Sequence, residues 1–359
     1  MSTQSAAPGA KAAPKDAFSL TSSRGFAEWL AGADVSLAFT TGAAGRFFLV
    51  GLGPTGRPAL IERTFARCKG LAVSADARTL FLASDYQLLR FDSVSQTGDG
   101  AGHQDAVYSP HVAWITGDID AQDIAVLPNR RPVFASALYS CVGAVSEGFS
   151  FRPLWRPPFV TRLASDDRCH LTGVALDKGQ PRYVTLAGAS DAADGWRAGR
   201  ADGGLVMDMQ TNAVLASGLA LPHSPRVRDG QVWLLNAGAG ELGFVEPGSD
   251  RLKVVAACPG FVRGLAFTGP FAVVGVSLGR GEGGFDGLPL AQTLTAKGLE
   301  PRCAVLVIDT RTGETVEWLR IDGAVREIHA VELLTGIRNP ASIGLESEEI
   351  QRIVTIDPS

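Results

Sequence analysis

A chain of 359 residues with a net charge of −4 is a poor electrostatic match for nucleic acid or an anionic membrane surface, so neither is expected as a partner. Its 45% hydrophobic content can fill a large core, yet no run approaches the ~18 apolar residues of a membrane span. The five cysteines (Cys68, Cys141, Cys169, Cys258, Cys303) are odd in number, widely spaced and free of CxxC pairs, which argues against a disulfide scaffold and for reduced thiols in a cytoplasmic protein.

Met1 to Asp16 is rich in Ala, Pro, Lys and Ser and lacks an apolar h-region, so it does not read as a secretory signal. Residues 1–22 are assigned to a mobile tail. Arg24–Ala33 reads as a helix with Phe26, Trp29 and Leu30 on one face, and Ser22 or Ser23 is available as its N-cap. Strand patterns then take over. Val35–Thr40, Arg46–Leu52 and Pro58–Thr64 form a first set, and Gly70–Val73, Thr79–Ser84 and Gln87–Asp92 a second, followed by a polar loop from Ser95 to Tyr108. Ile119–Leu127, Pro132–Ala137 and Cys141–Ser146 come third. The proline-rich stretch Phe151–Phe159 is unfit for a central strand and reads as an ordered crossing loop.

A fourth set comprises Gly173–Leu176, Arg182–Ala187, Gly204–Asp208 and Ala213–Ser217, with an insertion at Ser190–Gly203. Arg226–Val227, Gln231–Asn236, Glu241–Val245 and Leu252–Ala257 make a fifth. The sixth is Gly264–Phe267, Phe271–Ser277, Ala304–Asp309 and Val316–Ile321, with a long insertion from Gly279 to Arg302. One further strand, Ile328–Leu334, precedes a helical-looking Leu345–Arg352. Glycine-rich Gly279–Gly284 matches GxGxxG, but Pro289 would interrupt the helix that a dinucleotide site requires, so it reads as a loop.

Each set opens alike: Lys69-Gly70-Leu71-Ala72, Gln122-Asp123-Ile124-Ala125, Thr172-Gly173-Val174-Ala175, Pro222-His223-Ser224-Pro225-Arg226, Arg263-Gly264-Leu265-Ala266 and Arg326-Glu327-Ile328-His329. Self-similarity at roughly 40–60 residues is the signature of propeller blades. Three strands before the first full set and one at the end make a blade closed by both chain ends. The expected fold is therefore all-β, a six-bladed β-propeller with a short N-terminal helix, seven blades being the alternative. The domain spans 23–344, and 345–359 is a C-terminal extension.

Opening strands line the central channel, so polar residues there share one small space. Three of the five histidines fall within about two residues of an opening. Two chemistries fit. His170 and His223 with Asp123 can hold a divalent metal ion, the one cofactor suggested. Alternatively His170 or His223 serves as acid or base, with Asp123 and Glu327 orienting or ligating. In either case Arg263, Arg326, Lys69, Arg226 and, from the inserted loop Asp191–Arg200, Trp196 with Arg197 are candidates to grip the substrate. An Asp123–His170–Ser224 set ranks lower, because no Gly-x-Ser-x-Gly elbow supports it.

The motifs Arg168-Cys169-His170-Leu171-Thr172-Gly173 and Leu221-Pro222-His223-Ser224-Pro225-Arg226 carry a specific resemblance, as do Phe151–Phe159 and Trp233–Gly243. Together they resemble a bacterial family of conserved hypothetical proteins known as a domain of unknown function, over about Phe26 to Gly344. The resemblance implies a β-propeller and supplies no activity. Asp120, Asp123, Arg168, His170, His223, Arg226, Arg263 and Glu327 match the family pattern. Gln122 stands where His is expected, Thr172 where Asn is, and His329-Ala330 where an aromatic and Asp are, which implies a changed specificity or a lost activity. On fold alone the chain is also similar to lactone-hydrolysing propellers of the gluconolactonase type, which hold a divalent metal at the channel mouth.

Two functions from different classes follow. One is an enzyme or binding protein for a small anionic metabolite, acting as a lactonase-like hydrolase or an isomerase or lyase. The other is a non-catalytic scaffold that docks protein partners on its rim loops, where Trp196 and Gly279–Gly287 lie.

Overall fold

The computed structural model describes residues 17–94, 104–279 and 284–356. Their strands form six sheets, each built around an antiparallel run of neighbouring strands, arranged as a six-bladed β-propeller. Blade 1 pairs Ala330–Thr335, innermost, with Val35–Thr40, Arg46–Leu52 and Pro58–Thr64. The opening strands of the other blades are Leu71–Val73 (blade 2), Ala121–Val126 (blade 3), Leu171–Asp177 (blade 4), Pro222–Arg228 (blade 5) and Phe261–Thr268 (blade 6). Each of these six strands packs beside the next, and Phe261–Thr268 meets Ala330–Thr335 to close the ring.

The sequence pattern explains which strands sit where. Middle strands such as Val35–Thr40, Thr79–Ser84 and Cys303–Asp309 are buried at every position, because neighbouring blades cover both faces and a continuous apolar run suits them. Outer strands such as Pro58–Thr64 are largely half-exposed or exposed. All five cysteines are buried free thiols. Burial pushes each thiol up to about 12, which makes them packing residues rather than nucleophiles.

Both chain ends close blade 1, and each also reaches a neighbouring blade. Phe18–Ser22, expected within the tail, instead forms the outermost strand of blade 6 against Thr315–Gly323. The rest of the expected tail, residues 1–16, lies outside the described residues. At the other end Pro340–Ser342 adds to blade 2 in parallel with Ala106–Tyr108. Each added strand covers an edge that would otherwise present unpaired backbone groups.

Several expected elements change. The helix is Phe26–Ala33, its N-cap is Gly25 and neither serine caps it. Ser23 is held elsewhere, donating to the Glu317 carboxylate while Trp318 N donates to its Oγ at 2.9 Å. The polar loop before Tyr108 ends in the strand Ala106–Ile115, and its residues 95–103 lie outside the description. Arg152–Trp155 is the outer edge strand of blade 3 rather than a crossing loop, a place where Pro153 removes no needed ladder bond. The Gly279–Arg302 insertion contains a helix, Pro289–Lys297, with proline in its first turn and Gly298 as a left-handed cap. Its Leu290 and Leu294, one turn apart, are the buried pair. Residues 280–283 of the glycine-rich stretch lie outside the described residues. Leu345–Arg352 contributes a short 3₁₀ turn at Glu348–Arg352.

Candidate functional site

Three inner strands start from a residue in the left-handed region: Asp120 (φ 45°) before blade 3, His170 (φ 49°) before blade 4 and Leu221 (φ 49°) before blade 5. Non-glycine residues take this conformation at a cost, and Asp and His take it more readily than most. All three of these turn residues line a single cavity of about 530 Å³ at one mouth of the channel. The cavity also receives Lys69, Gln122, His223, Arg263, Glu327 and His329 from the openings, and Trp196, Arg197 and Arg200 from the blade 4 insertion. The sequence-derived ring is thus largely assembled, with its histidines around a shared space.

The best-defined part is His170. Its Nδ1 lies 2.9 and 3.0 Å from the two oxygens of Asp167. A carboxylate acceptor puts the proton on Nδ1 and leaves Nε2 as the basic nitrogen. The imidazole stacks on Trp196, with centroids 4.2 Å apart and planes 23° off parallel. Arg197 covers the indole at 4.5 Å. Trp196 is buried, 8% exposed, so the insertion lays an indole on the imidazole rather than presenting it to solvent.

Arg168 holds that insertion in place. Its guanidinium donates to Asp166 at 2.8 Å and to the Asp191 side chain and carbonyl at 2.5 and 2.7 Å. Hydrogen bonds from Thr161, then Arg168, hold the Asp191 carboxyl at about 2. The second insertion meets the first where Arg200 Nη2 donates to the Asp286 carbonyl at 2.7 Å.

Around the rest of the mouth, charges come in pairs. Lys69 donates to the Asp120 carboxylate. Burial would raise that carboxyl, but Lys69, with His170 and Gln122, outweighs it and holds Asp120 below the usual carboxylate range. Arg263 lies 3.6 Å from Glu327 and over the Phe261 ring at 4.7 Å, and that ring meets His223 in a T-shaped contact with centroids 5.9 Å apart. Glu327 accepts from Ala43 N at 2.7 Å. His329 Nε2 donates to the Gln122 carbonyl at 3.0 Å.

Four expected site residues are not at this mouth. Asp123 lies deeper along its strand, buried, and accepts from Arg226 Nη1 and Nη2 at 3.0 and 3.3 Å and from Val174 N at 3.2 Å. Arg226 is accordingly an interior residue, and it also reaches Glu332 at 3.3 Å. Ser224 accepts from Gly264 N at 3.0 Å, so the Asp123–His170–Ser224 set does not form. Arg326 is exposed and absent from the cavity wall: the chain reaches the cavity only at the next residue, Glu327, ahead of the strand that starts at Ala330. Thr172 is an interblade tie, donating to the Pro222 carbonyl at 2.5 Å. The expected metal trio of His170, His223 and Asp123 is likewise not assembled, and among the described residues no group of three or more His, Cys, Asp or Glu could hold a metal ion.

Sequence reasoning missed Asp167, although an acid three residues before a histidine was a readable signal. Phe261 and Leu288 were also missed, and no sequence signal marks them as wall residues.

A closed propeller with one polar, histidine-bearing mouth is the class that this geometry defines. The chain belongs to the family described as a domain of unknown function (DUF4915), whose model matches residues 24–343. No curated protein matches it. Among solved structures, a chain in the crystal structure of a nidogen/laminin complex is similar at 13% identity and TM-score 0.53, covering 84% of this chain and 99% of that one. A protein of unknown function from Bacteroides caccae has the same identity and score, over 84% of this chain and 98% of its own. Virginiamycin B lyase from Staphylococcus aureus aligns over 85% of this chain and 99% of its own at 9% identity and TM-score 0.40. At 13% identity the first two likenesses show the propeller fold alone.

Proposed function

We propose that this mouth binds a small anionic metabolite and acts on it by proton transfer, in a hydrolysis or an isomerisation. One observation carries the reading: His170, its Nδ1 fixed on Asp167, shares a cavity with Lys69, Arg197, Arg200 and Arg263. Nε2 is then the base that takes a proton from substrate or water, and Asp167 stabilises the imidazolium that results. The guanidinium and ammonium groups supply donors for carboxylate or phosphate oxygens. Burial of Trp196 favours this over rim docking of a protein partner, for which the indole would have to stand free. Among the described residues no helix is long and apolar enough to cross a membrane, and a cytoplasmic location goes with this reading.

A thermal-shift screen of small carboxylates and phosphate esters tests it, with turnover of each hit followed by proton NMR. At least one compound should stabilise the wild type and bind about tenfold more weakly to Arg263→Lys, which loses the planar fork. His170→Ala should still bind that compound while its turnover falls about 10²- to 10⁴-fold. A hit that stabilises wild type and Arg263→Lys equally would place the ligand elsewhere, and undiminished turnover in His170→Ala would remove the base.

A further inference from the structure

The channel has a second mouth. Each inner strand has its start, or the residues just before it, at the His170 cavity and its later residues at a separate cavity of about 760 Å³, as the ~3.3 Å rise per strand residue requires of opposite ends. The walls of this second cavity are mostly apolar and come from every blade, with Val73, Val126, Leu176, Val227, Phe267 and Leu333 each from a different one. Arg226 and Glu332 are the charged inner-strand residues that face it, while Asp76 and Arg130 form their own exposed pair.

The hydrogen bonds decide what Arg226 and Glu332 can offer a guest. Arg226 Nη1 donates to Asp123 and to the Pro225 carbonyl, and Nη2 donates to Asp123 and Glu332. Its four terminal N–H groups are therefore engaged. Glu332 receives Nη2 on Oε1 alone, at 3.3 Å, and its second oxygen has no partner among the described residues. The guanidinium is shared by two carboxylates, so with Glu332 ionised the cluster of Arg226, Asp123 and Glu332 carries a net negative charge, and the second oxygen of Glu332 is left as an acceptor for a ligand. We infer that the second mouth binds a primary ammonium on an aliphatic body, with the ammonium on Glu332 and the body against the apolar walls.

The ammonium can belong to a free amine or to a lysine side chain, and calorimetric titrations of the full chain at pH 8 with n-hexylamine and with Nα-acetyl-lysine methylamide separate the two by which binds more tightly. Hexylamine should bind saturably with one site, and hexanoate, of equal length and opposite charge, should not. Glu332→Gln should weaken amine binding about 10- to 100-fold, the effect of losing a charge-assisted hydrogen bond. Ala266→Phe, which narrows the cup without touching its charges, should weaken it as well and covers the case in which the glutamine variant folds poorly. Equal binding of hexylamine and hexanoate, no binding of either amine, or affinity unchanged in both variants would overturn the inference.

Discussion

Replacing Arg226 with alanine should destabilise the protein by about 3–5 kcal/mol, the cost of leaving a buried charge without its partner. Asp123 is 4% exposed, and without the guanidinium it keeps only the amide donors of Ile124 and Val174. The cluster spans the inner strands of blades 1, 3 and 5, so its loss loosens the centre of the ring rather than one sheet. Urea unfolding should show a lower midpoint with an unchanged slope. Adding Asp123→Asn to the variant should recover part of the loss, because the uncompensated charge goes with it. A loss under about 1 kcal/mol, the scale of a surface pair, would contradict this account.

The same cluster sets a pH dependence. Burial pushes the Glu332 carboxyl up to about 7, with Arg226 opposing the rise and Asp123 adding to it. The unfolded chain releases that proton near 4.5, so between these values the native state holds more protons. Stability from this source is complete below the unfolded value and is lost as pH rises through about 7. Glu332→Gln cannot ionise, so its unfolding free energy relative to wild type should increase from pH 5 to pH 8. A decrease over that range would mean that the carboxyl is not held protonated in the fold.

Gly264→Ala should cost about 2–5 kcal/mol and weaken ligand binding at the His170 mouth. Gly264 has φ +75°, which costs an alanine about 1–2 kcal/mol. A Cβ there would also lie 2.4 Å from Val331 N and 2.7 Å from the Ala330 carbonyl carbon, backbone atoms of the strand that closes the ring. Separating two packed backbones adds about 1–3 kcal/mol, and Arg263, the adjacent residue, would be carried away from Glu327. Gly218→Ala is the control: its φ is +73° and nothing lies within 4 Å of the added carbon, so only the left-handed cost applies. Equal melting-temperature losses in the two variants would mean that the close approach at Val331 contributes nothing.

The propeller was legible because a repeated opening recurs once per blade and because middle strands buried on both faces read as unbroken apolar runs. Strands that owe their existence to a distant partner were not legible. Phe18–Ser22 is set by pairing with Thr315–Gly323, and Pro340–Ser342 by Ala106–Tyr108. For the site, position near an opening was enough to collect His170, His223, Lys69, Arg263 and Glu327 at one mouth. It was not enough to say how deep a residue sits. Asp123 and Arg226 lie a few residues farther along their strands, which moves them from a wet mouth to an ion cluster inside the channel. Arg326 failed for the converse reason, since the chain approaches the axis only after it.

The most direct test of the central claim, that the six openings build one anion-accepting mouth around His170, is long-range ¹H–¹⁵N NMR of the histidine rings during a titration with inorganic phosphate at fixed pH. His170, assigned by its absence from a His170→Gln spectrum, should show a proton on Nδ1 and a saturable shift at Nε2. The exposed His111, paired with Asp92 on blade 2, should stay still. Parallel shifts of His111 and His170, or a His170 signal that phosphate never moves, would contradict it.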